Sequence, residues 1–366
     1  MLKKLLSLIV LAGVSYANAQ DSTSTPLVIS GSVDTYYKYD LSGYKPGNIG
    51  ARAENGYSGT SFATENNSIS LGMIDVMLKK TTGKASFVGE VSFGPRGQYQ
   101  SIPTGNGDDD NADNTFHIQN LYATYAFTDK FSMTAGYMGT FVGYEVISPA
   151  ANFNYSTSYL FTNGPFQNAG IKANLALSSK VGVMVGLFND WNQYQDFNGV
   201  SHFGAQLSLS PVEGWTAYLN VLTGQSAGGK NTYGSGTIID LTTAYQITDK
   251  FKLGLNAADY SLGDDEFGGF TGVALYPQVS VTSNFGLGLR GEYFTSKKGT
   301  SASTFSGVAP DKSVVSFTLS GNLKAGGLIF IPEFRFDNGS ANQFFKENMT
   351  TTKTASQFSL AAVYAF

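Results

Sequence analysis

From Thr354 to Phe366 the chain reads T-A-S-Q-F-S-L-A-A-V-Y-A-F, so that Phe358, Leu360, Ala362, Tyr364 and Phe366 alternate with Gln357, Ser359, Ala361, Val363 and Ala365. Side chains that alternate at period two stand on opposite faces of an extended chain, which makes this a β-strand. The same alternation returns along most of the sequence. A long series of such strands has a problem at its two ends, because an unpaired apolar edge invites aggregation. Pairing the last strand with the first removes both edges. The expected fold is therefore all-β and closed into a barrel.

The composition says what surrounds that barrel. Charged residues make up only 14% of the chain, against roughly 25% in soluble domains. Aromatics are abundant, with Tyr 21 and Phe 27, and Gly reaches 43. No apolar run of about 18 residues follows the N-terminal region, so no transmembrane helix is expected. Low charge without a long apolar run fits strands with one face toward lipid and one toward water. At the N-terminus, Lys3 and Lys4 precede the apolar stretch Leu5 to Val14, and Ala17-Asn18-Ala19 follows as an A-x-A cleavage site. Residues 1–19 are expected to be a secretory signal peptide, with a buried N-terminal helix as the blander alternative. Residues 20–366 are then one barrel domain. With no Cys, neither a lipid anchor on Cys nor a disulfide nor a thiolate metal site is available. Without Lys3 and Lys4, 21 basic and 27 acidic residues remain, about −6 in net charge, which argues against nucleic acid as a partner.

Short turns punctuate the alternation. Phe127-Thr128-Asp129-Lys130-Phe131 and Ile247-Thr248-Asp249-Lys250-Phe251 are near-copies. Thr81 to Gly83, Ser178 to Lys180, Pro211 to Gly214, Thr282 to Asn284 and Lys324 to Gly327 have the same polar turn chemistry. Between them lie longer polar stretches at about 41–65, 94–115, 143–164, 189–200, 224–236, 262–269, 296–312 and 338–353. Seven turns and eight loops join sixteen strands, the plan of a transmembrane up-and-down antiparallel β-barrel with short periplasmic turns and long extracellular loops.

The two faces segregate charge. Phe87, Val91, Phe93, Met133, Ala135, Tyr137 and Phe141 are assigned to the lipid face. So are the runs from Val181 to Leu187, Phe203 to Leu209, Trp215 to Val221 and Phe285 to Tyr293, taken at every second residue. None is charged. Asp34, Lys38, Glu90, Lys172, Asp240, Lys252, Arg290, Glu292, Glu333 and Arg335 fall on the other face. Asp259 breaks the rule near a loop. The apolar set switches between Leu71 and Ile74, which suggests a bulge, and Pro277 and Pro332 lie within expected strands, where each removes a ladder donor. A secreted sandwich or solenoid also alternates, but would carry more charge on its exposed face.

The stretch Gly136 to Ala173 contains Gly143-Tyr144-Glu145, a segment of serines and aromatics, and then Gly164-Pro165-Phe166. Together with Ile29 to Tyr37 at the start, this resembles the OmpL-like β-barrel porin family of Gram-negative-type outer membranes. The C-terminal strand is similar to the recognition strand of outer-membrane barrels. The resemblance implies an outer-membrane channel and names no substrate.

By analogy with sixteen-stranded porins, the third long loop, Gly143 to Gly164, would fold inward as a constriction bearing Glu145, Asn152, Asn154, Tyr155 and Tyr159. The alternative is a loop packed on the rim. Asp34, Lys38, Glu90, Glu145, Asp240, Arg290, Glu292, Glu333 and Arg335 are the candidate pore-lining residues, since opposed charges across a pore filter solutes by charge and dipole. Arg290 with Glu292, and Glu333 with Arg335, sit two apart on one face. The competing reading is a salt-bridge network that braces the wall. In the acidic loop Gly105 to Asn114, Asp109, Asn111 and Asp113 have calcium-loop spacing, but Asn114 replaces the required Gly and Asn120 the closing Glu. No G-x-S-x-G accompanies His117 or His202, so a barrel hydrolase has little support, and no cofactor is inferred. The expected function is passive diffusion of small hydrophilic solutes through a water-filled barrel, with a loop-borne adhesin or receptor as the alternative. Expected partners are outer-membrane lipid, lipopolysaccharide and the barrel-assembly machinery, which would read the C-terminal strand. A homotrimer is one assembly open to it.

Overall fold

The computed structural model describes residues 24–42, 60–63, 65–96, 116–196, 199–225, 235–263, 268–299, 307–348 and 350–366. The expected signal peptide and the acidic loop at 105–114 lie outside these residues. Sixteen strands form one closed barrel. They begin with β1 (Val28–Asp40), β2 (Ser68–Thr82), β3 (Ala85–Phe93), β4 (Phe116–Ala126), β5 (Phe131–Gly139) and β6 (Gln167–Ala176). β7 (Val181–Phe188), β8 (His202–Leu209), β9 (Trp215–Gln225), β10 (Ser235–Gln246) and β11 (Phe251–Leu262) continue the wall. β12 (Gly269–Ser280), β13 (Phe285–Ser296), β14 (Ser313–Ala325) and β15 (Leu328–Gly339) follow. Two short strands, β16 (Phe344–Phe345) and β17 (Thr351–Thr352), form a separate ribbon in the last outer loop. β18 (Thr354–Ala365) then closes the ring between β15 and β1.

Each strand pairs antiparallel with its neighbour in the chain, and the C-terminal strand makes the one long-range closure. Phe358 lies opposite Tyr39 on β1 and Phe334 on β15. The turn chemistry read from the sequence is used directly. The Thr128 hydroxyl accepts the N–H groups of Lys130 and Phe131, and Thr248, Thr282 and Ser178 repeat the arrangement in their own turns. Such side-chain acceptors fix a tight reversal by tying the turn to the first residue of the next strand.

The irregularities fall where the sequence breaks pattern. Val33 pairs with Ile74 but Thr35 with Leu71, so β2 carries one extra residue opposite Asp34. The Asp34 carboxylate fills the gap by accepting the Met73 N–H at 2.9 Å. Pro277 and Pro332 do lie inside strands. On one side of each, two ladder pairs drop out while the register continues: Leu275–Gly291 is followed by Gln278–Gly288, and Ser320–Glu333 by Leu323–Phe330.

Outward positions such as Val185, Leu219, Leu241, Leu289 and Leu319 are exposed, as lipid-facing residues are in an isolated chain. Tyr125, Phe127 and Phe131 cluster beside one turn, and Trp215 lies 5.6 Å from Tyr245 beside another, forming part of the inner-leaflet aromatic belt. Asp259, outward near the outer rim, is paired with Lys297 at 2.6 Å. Two assignments change. Tyr137 is buried edge-to-face against Tyr194, and Phe141 lies past the end of β5 and packs on Phe188 inside the barrel. The outer half of the lumen also holds an apolar core that alternation does not announce. Phe188, Leu222, Ile238, Phe270, Phe294 and Tyr159 meet there, with Phe294 stacked between Phe270 and Tyr159.

An Arg placed on the lipid face near the middle of the membrane is expected to cost about 2–4 kcal/mol. Leu289→Arg therefore should lower the barrel's stability by that amount in urea unfolding from vesicles, while Thr318→Ser on the inner face changes it little.

Candidate pore constriction

The segment between β5 and β6, residues 140–166, turns into the barrel. It holds a single 3-10 turn at Pro149–Ala151 and one short helix, α1 (Tyr159–Asn163). A loop in a lumen must find partners for its backbone polar groups, and here the inner wall supplies them. Glu333 on β15 accepts the N–H groups of Tyr155 and Ser156 at 2.8 and 3.0 Å. Glu292 on β13 accepts those of Tyr159 and Leu160 at 2.9 and 2.8 Å, taking amides that the first turn of α1 leaves without intrahelical partners. Ser158 caps the same helix by accepting the Phe161 N–H at 2.9 Å. Glu145, on the loop itself, accepts the Ser158 N–H at 2.7 Å. Asp240 on β10 takes the Gly143 N–H at 3.0 Å and the amides of Asn220 and Asn256.

The two arginines complement these carboxylates. Arg290 donates to Glu145 at 2.8 Å and to the Ser156 and Thr157 carbonyls at 2.6 and 3.2 Å. Arg335 donates to Asp337 at 2.9 Å and to the Thr157 carbonyl at 2.8 Å. Both side chains are fully buried. The Tyr155 hydroxyl donates to Asp34 at 2.5 Å, and Asn154 and Asn322 join the loop to β14. Burial pushes the phenols of Tyr155 and Tyr159 well above their ordinary values, and burial beside Glu145 pushes that of Tyr144 up to about 12, so all three keep their protons well into the alkaline range.

Glycines on the inner wall make room for the loop. A Cβ at Gly288 would stand 2.3 Å from the Phe153 ring, one at Gly254 2.2 Å from the Tyr144 hydroxyl, and one at Gly272 2.7 Å from Leu160. The loop thus seats an aromatic or aliphatic side chain in each of three sockets on β11, β12 and β13.

Eight of the nine sequence candidates gather at or beside this loop. Asp34, Glu145, Asp240, Arg290, Glu292, Glu333 and Arg335 contact it or belong to it, and Lys38 lies buried beside Asp40 and Arg335. Glu90 stands apart on β3, half-buried, with the Asn120 amide at 2.5 Å. Arg290 and Glu292, like Glu333 and Arg335, do share the inner face. The ion pairs, however, run from Arg290 to Glu145 and from Arg335 to Asp337. Sequence reasoning passed over Asp337, which continues the every-second-residue series Glu333, Arg335. It also passed over Arg96, whose guanidinium lies between the Phe62 and Tyr155 rings, 4.8 Å from each, and 4.0 Å from Asp34. Asn154, Tyr155 and Tyr159, expected on the lumen side, turn toward the wall. His202 has Ser201 and Asp190 on the same ring nitrogen, at 2.8 and 3.4 Å, whereas a Ser-His-Asp relay places them on opposite nitrogens.

The family described as "Putative beta-barrel porin-2, OmpL-like" matches residues 26–366. The chain belongs to that family. This OmpL-like porin is an outer-membrane β-barrel for passive solute diffusion, as family and fold agree. Among solved structures it is similar to OmpT of Vibrio cholerae, at 12% identity over 97% of this chain and 100% of that one, with a TM-score of 0.55. An anion-selective porin from Comamonas acidovorans matches at 12% identity over 94% and 100%, with a TM-score of 0.58. Salmonella typhi OmpF, in complex with daunomycin, matches at 10% identity over 93% and 97%, with a TM-score of 0.59. No curated protein matches the sequence.

Proposed function

We propose that small hydrophilic solutes cross this porin through the part of the lumen that the third loop leaves open, and that Asp34, Lys38, Asp240, Arg290, Glu292, Glu333 and Arg335 set the width of that path by holding the loop. The observation that carries the reading is the uneven docking of the loop. Its hydrogen bonds run mainly to the wall of β10–β15 and β1, with Phe141 reaching Phe188 on β7 and Gln206 on β8, while the rest of the inner face of β3–β9 keeps half-exposed polar side chains, among them Glu90, Tyr122, Thr124, Lys172, Asn174 and Tyr218. These offer hydroxyls, amides and aromatic faces to a solute, with few fixed charges. Glu145, facing Arg290, belongs to the holding set. Residues 1–19 act as the export signal, β18 is the segment presented to the assembly machinery, and the outer rim meets lipopolysaccharide. A homotrimer is the proposed assembly; Vibrio cholerae OmpT has been described in a trimer form.

Single-channel recording in a planar bilayer tests the reading, together with swelling of vesicles in sugars of increasing size. A stable open conductance, with uptake that falls as the sugar grows, is expected. Folded protein that neither conducts nor admits the smallest sugar would make the loop a plug and end the porin path as drawn.

A further inference from the structure

The fixed charges inside the barrel divide into two groups by environment. In the first, each group is buried and has polar partners at close range. Arg290 has Glu145 and two carbonyls, Arg335 has Asp337 and a carbonyl, and Arg96 has Asp34 and the Ile147 and Tyr155 carbonyls at 3.2 and 3.1 Å. Glu292 and Glu333 are each held by two backbone amides, and Asp240 by an amide N–H and two carboxamides. Asp75 is buried against the Ser32 hydroxyl, and Lys38 beside Asp40. The three arginines and their carboxylates form ion pairs, whose field dies away faster than that of a single charge. Glu292, Glu333, Asp240 and Asp75 have only neutral donors, but they are buried, which keeps mobile ions from approaching them.

The second group has no oppositely charged partner among the described residues: Lys79 on β2 and Lys324 on β14 lie exposed on the inner face near the periplasmic ends of their strands, and three further groups join them. Lys172 on β6 and Lys252 on β11 point to the inner face, are half-exposed, and have no hydrogen-bond or ion-pair partner among the described residues. Glu90 on β3 is half-exposed and touches one neutral partner, Asn120. Lys252 is the second residue of β11, beside the turn at 247–250, so it stands at the periplasmic mouth. Lys172 is four residues above the periplasmic end of β6, about 14 Å along the strand at 3.4 Å per residue. Glu90 faces the same open space three strands away. Between Glu90 and Lys172 the wall carries Tyr122 and the Thr124–Thr134 hydroxyl pair, whose oxygens are 2.8 Å apart.

We propose that the unpaired inner-face charges, Lys172, Lys252 and Glu90 together with Lys79 and Lys324, determine the ion selectivity of this channel, and that the larger buried clusters around Arg290 and Arg335 do not. The proposal rests on the solute path described above. A mobile ion passing about 4 Å from one such group in water gains or loses roughly fivefold in local occupancy. Two lysines at successive levels draw an anion from the periplasmic mouth into the middle of the path. Glu90 opposes them from the facing part of the wall and slows a small carboxylate or phosphate ester relative to a neutral solute of the same size.

Zero-current potentials in a potassium chloride gradient decide the matter, recorded for the unaltered protein and for Lys172→Gln, Lys172→Arg, Lys252→Gln and Glu90→Gln. Each of the two Lys→Gln changes is expected to shift the chloride-to-potassium permeability ratio toward potassium by about two- to fivefold. Glu90→Gln should shift it toward chloride, and Lys172→Arg, which keeps the charge, should restore the unaltered ratio. Variants with unchanged open conductance and unchanged zero-current potential would overturn the proposal while leaving the porin intact. Absence of any conductance in the unaltered folded barrel would instead overturn the path on which it depends.

Discussion

Replacing Glu292 and Glu333 together by Ala releases the third loop from the wall and raises the open-channel conductance severalfold, with added current noise. Each carboxylate accepts two backbone N–H groups of the loop. Hydrogen bonds to a charged group contribute about 1.5–3 kcal/mol each, so four of them hold the loop by roughly 6–12 kcal/mol before any relaxation. About 5.5 kcal/mol is enough to turn a 99:1 equilibrium into 1:99. Removal also leaves Arg290 and Arg335 with less opposing charge in a buried setting, which disfavours the docked state further. Planar-bilayer recording measures the conductance, and limited proteolysis between Gly143 and Gly164 reports the released loop independently. A double variant with unaltered conductance and no new cleavage would show that Asp240, Arg290 and the glycine sockets hold the loop unaided.

The second large effect concerns closure. Removing residues 354–366 should abolish the folded barrel altogether. β18 pairs with β1 over nine residues and with β15 over eleven. Its loss opens two full edges in a setting where lipid offers no hydrogen bonds to replace them, at several kcal/mol for each stranded group. The check is heat-modifiable migration on gels after refolding in detergent: the full chain should run as a compact species when unheated, and the truncated chain should not. Deleting Phe366 alone is milder, since it removes one backbone bridge to Gly31 and an exposed ring.

Much of the wall was legible in the sequence. Period-two alternation, the paired Thr-Asp-Lys-Phe turns and the absence of charge from one face led to sixteen strands. The switch between Leu71 and Ile74 marked the bulge. The interior was harder to read, because alternation tells which residues point inward and not what they meet there. Arg290 and Glu292 look like partners at two-residue spacing. In space, Glu145 is 145 positions away from Arg290 and is its actual partner, because the loop brings it back. Phe270 and Phe294 could be counted as inward but not as a core, since nothing local says that Tyr159 will stack among them. Gly254, Gly272 and Gly288 read as ordinary strand glycines until the loop side chains that occupy their missing Cβ positions are known. Tyr137 was misassigned because its cover, Tyr194, comes from a different loop.

The docked loop also makes the barrel mechanically lopsided. Along β10–β15 the wall has two layers, a sheet and the loop bonded to its inner face, and the amides of Tyr155, Ser156, Tyr159 and Leu160 are locked between them. Along most of β3–β9 it is a single layer between lipid and the solute path, with the loop reaching β7 and β8 where Phe141 packs on Phe188 and its carbonyl accepts from Gln206. Thermal breathing of the cylinder will therefore be concentrated in the thin arc. The same arc borders the path of the solute, so the side of the barrel that yields most easily is the side that a slightly oversized molecule would press against.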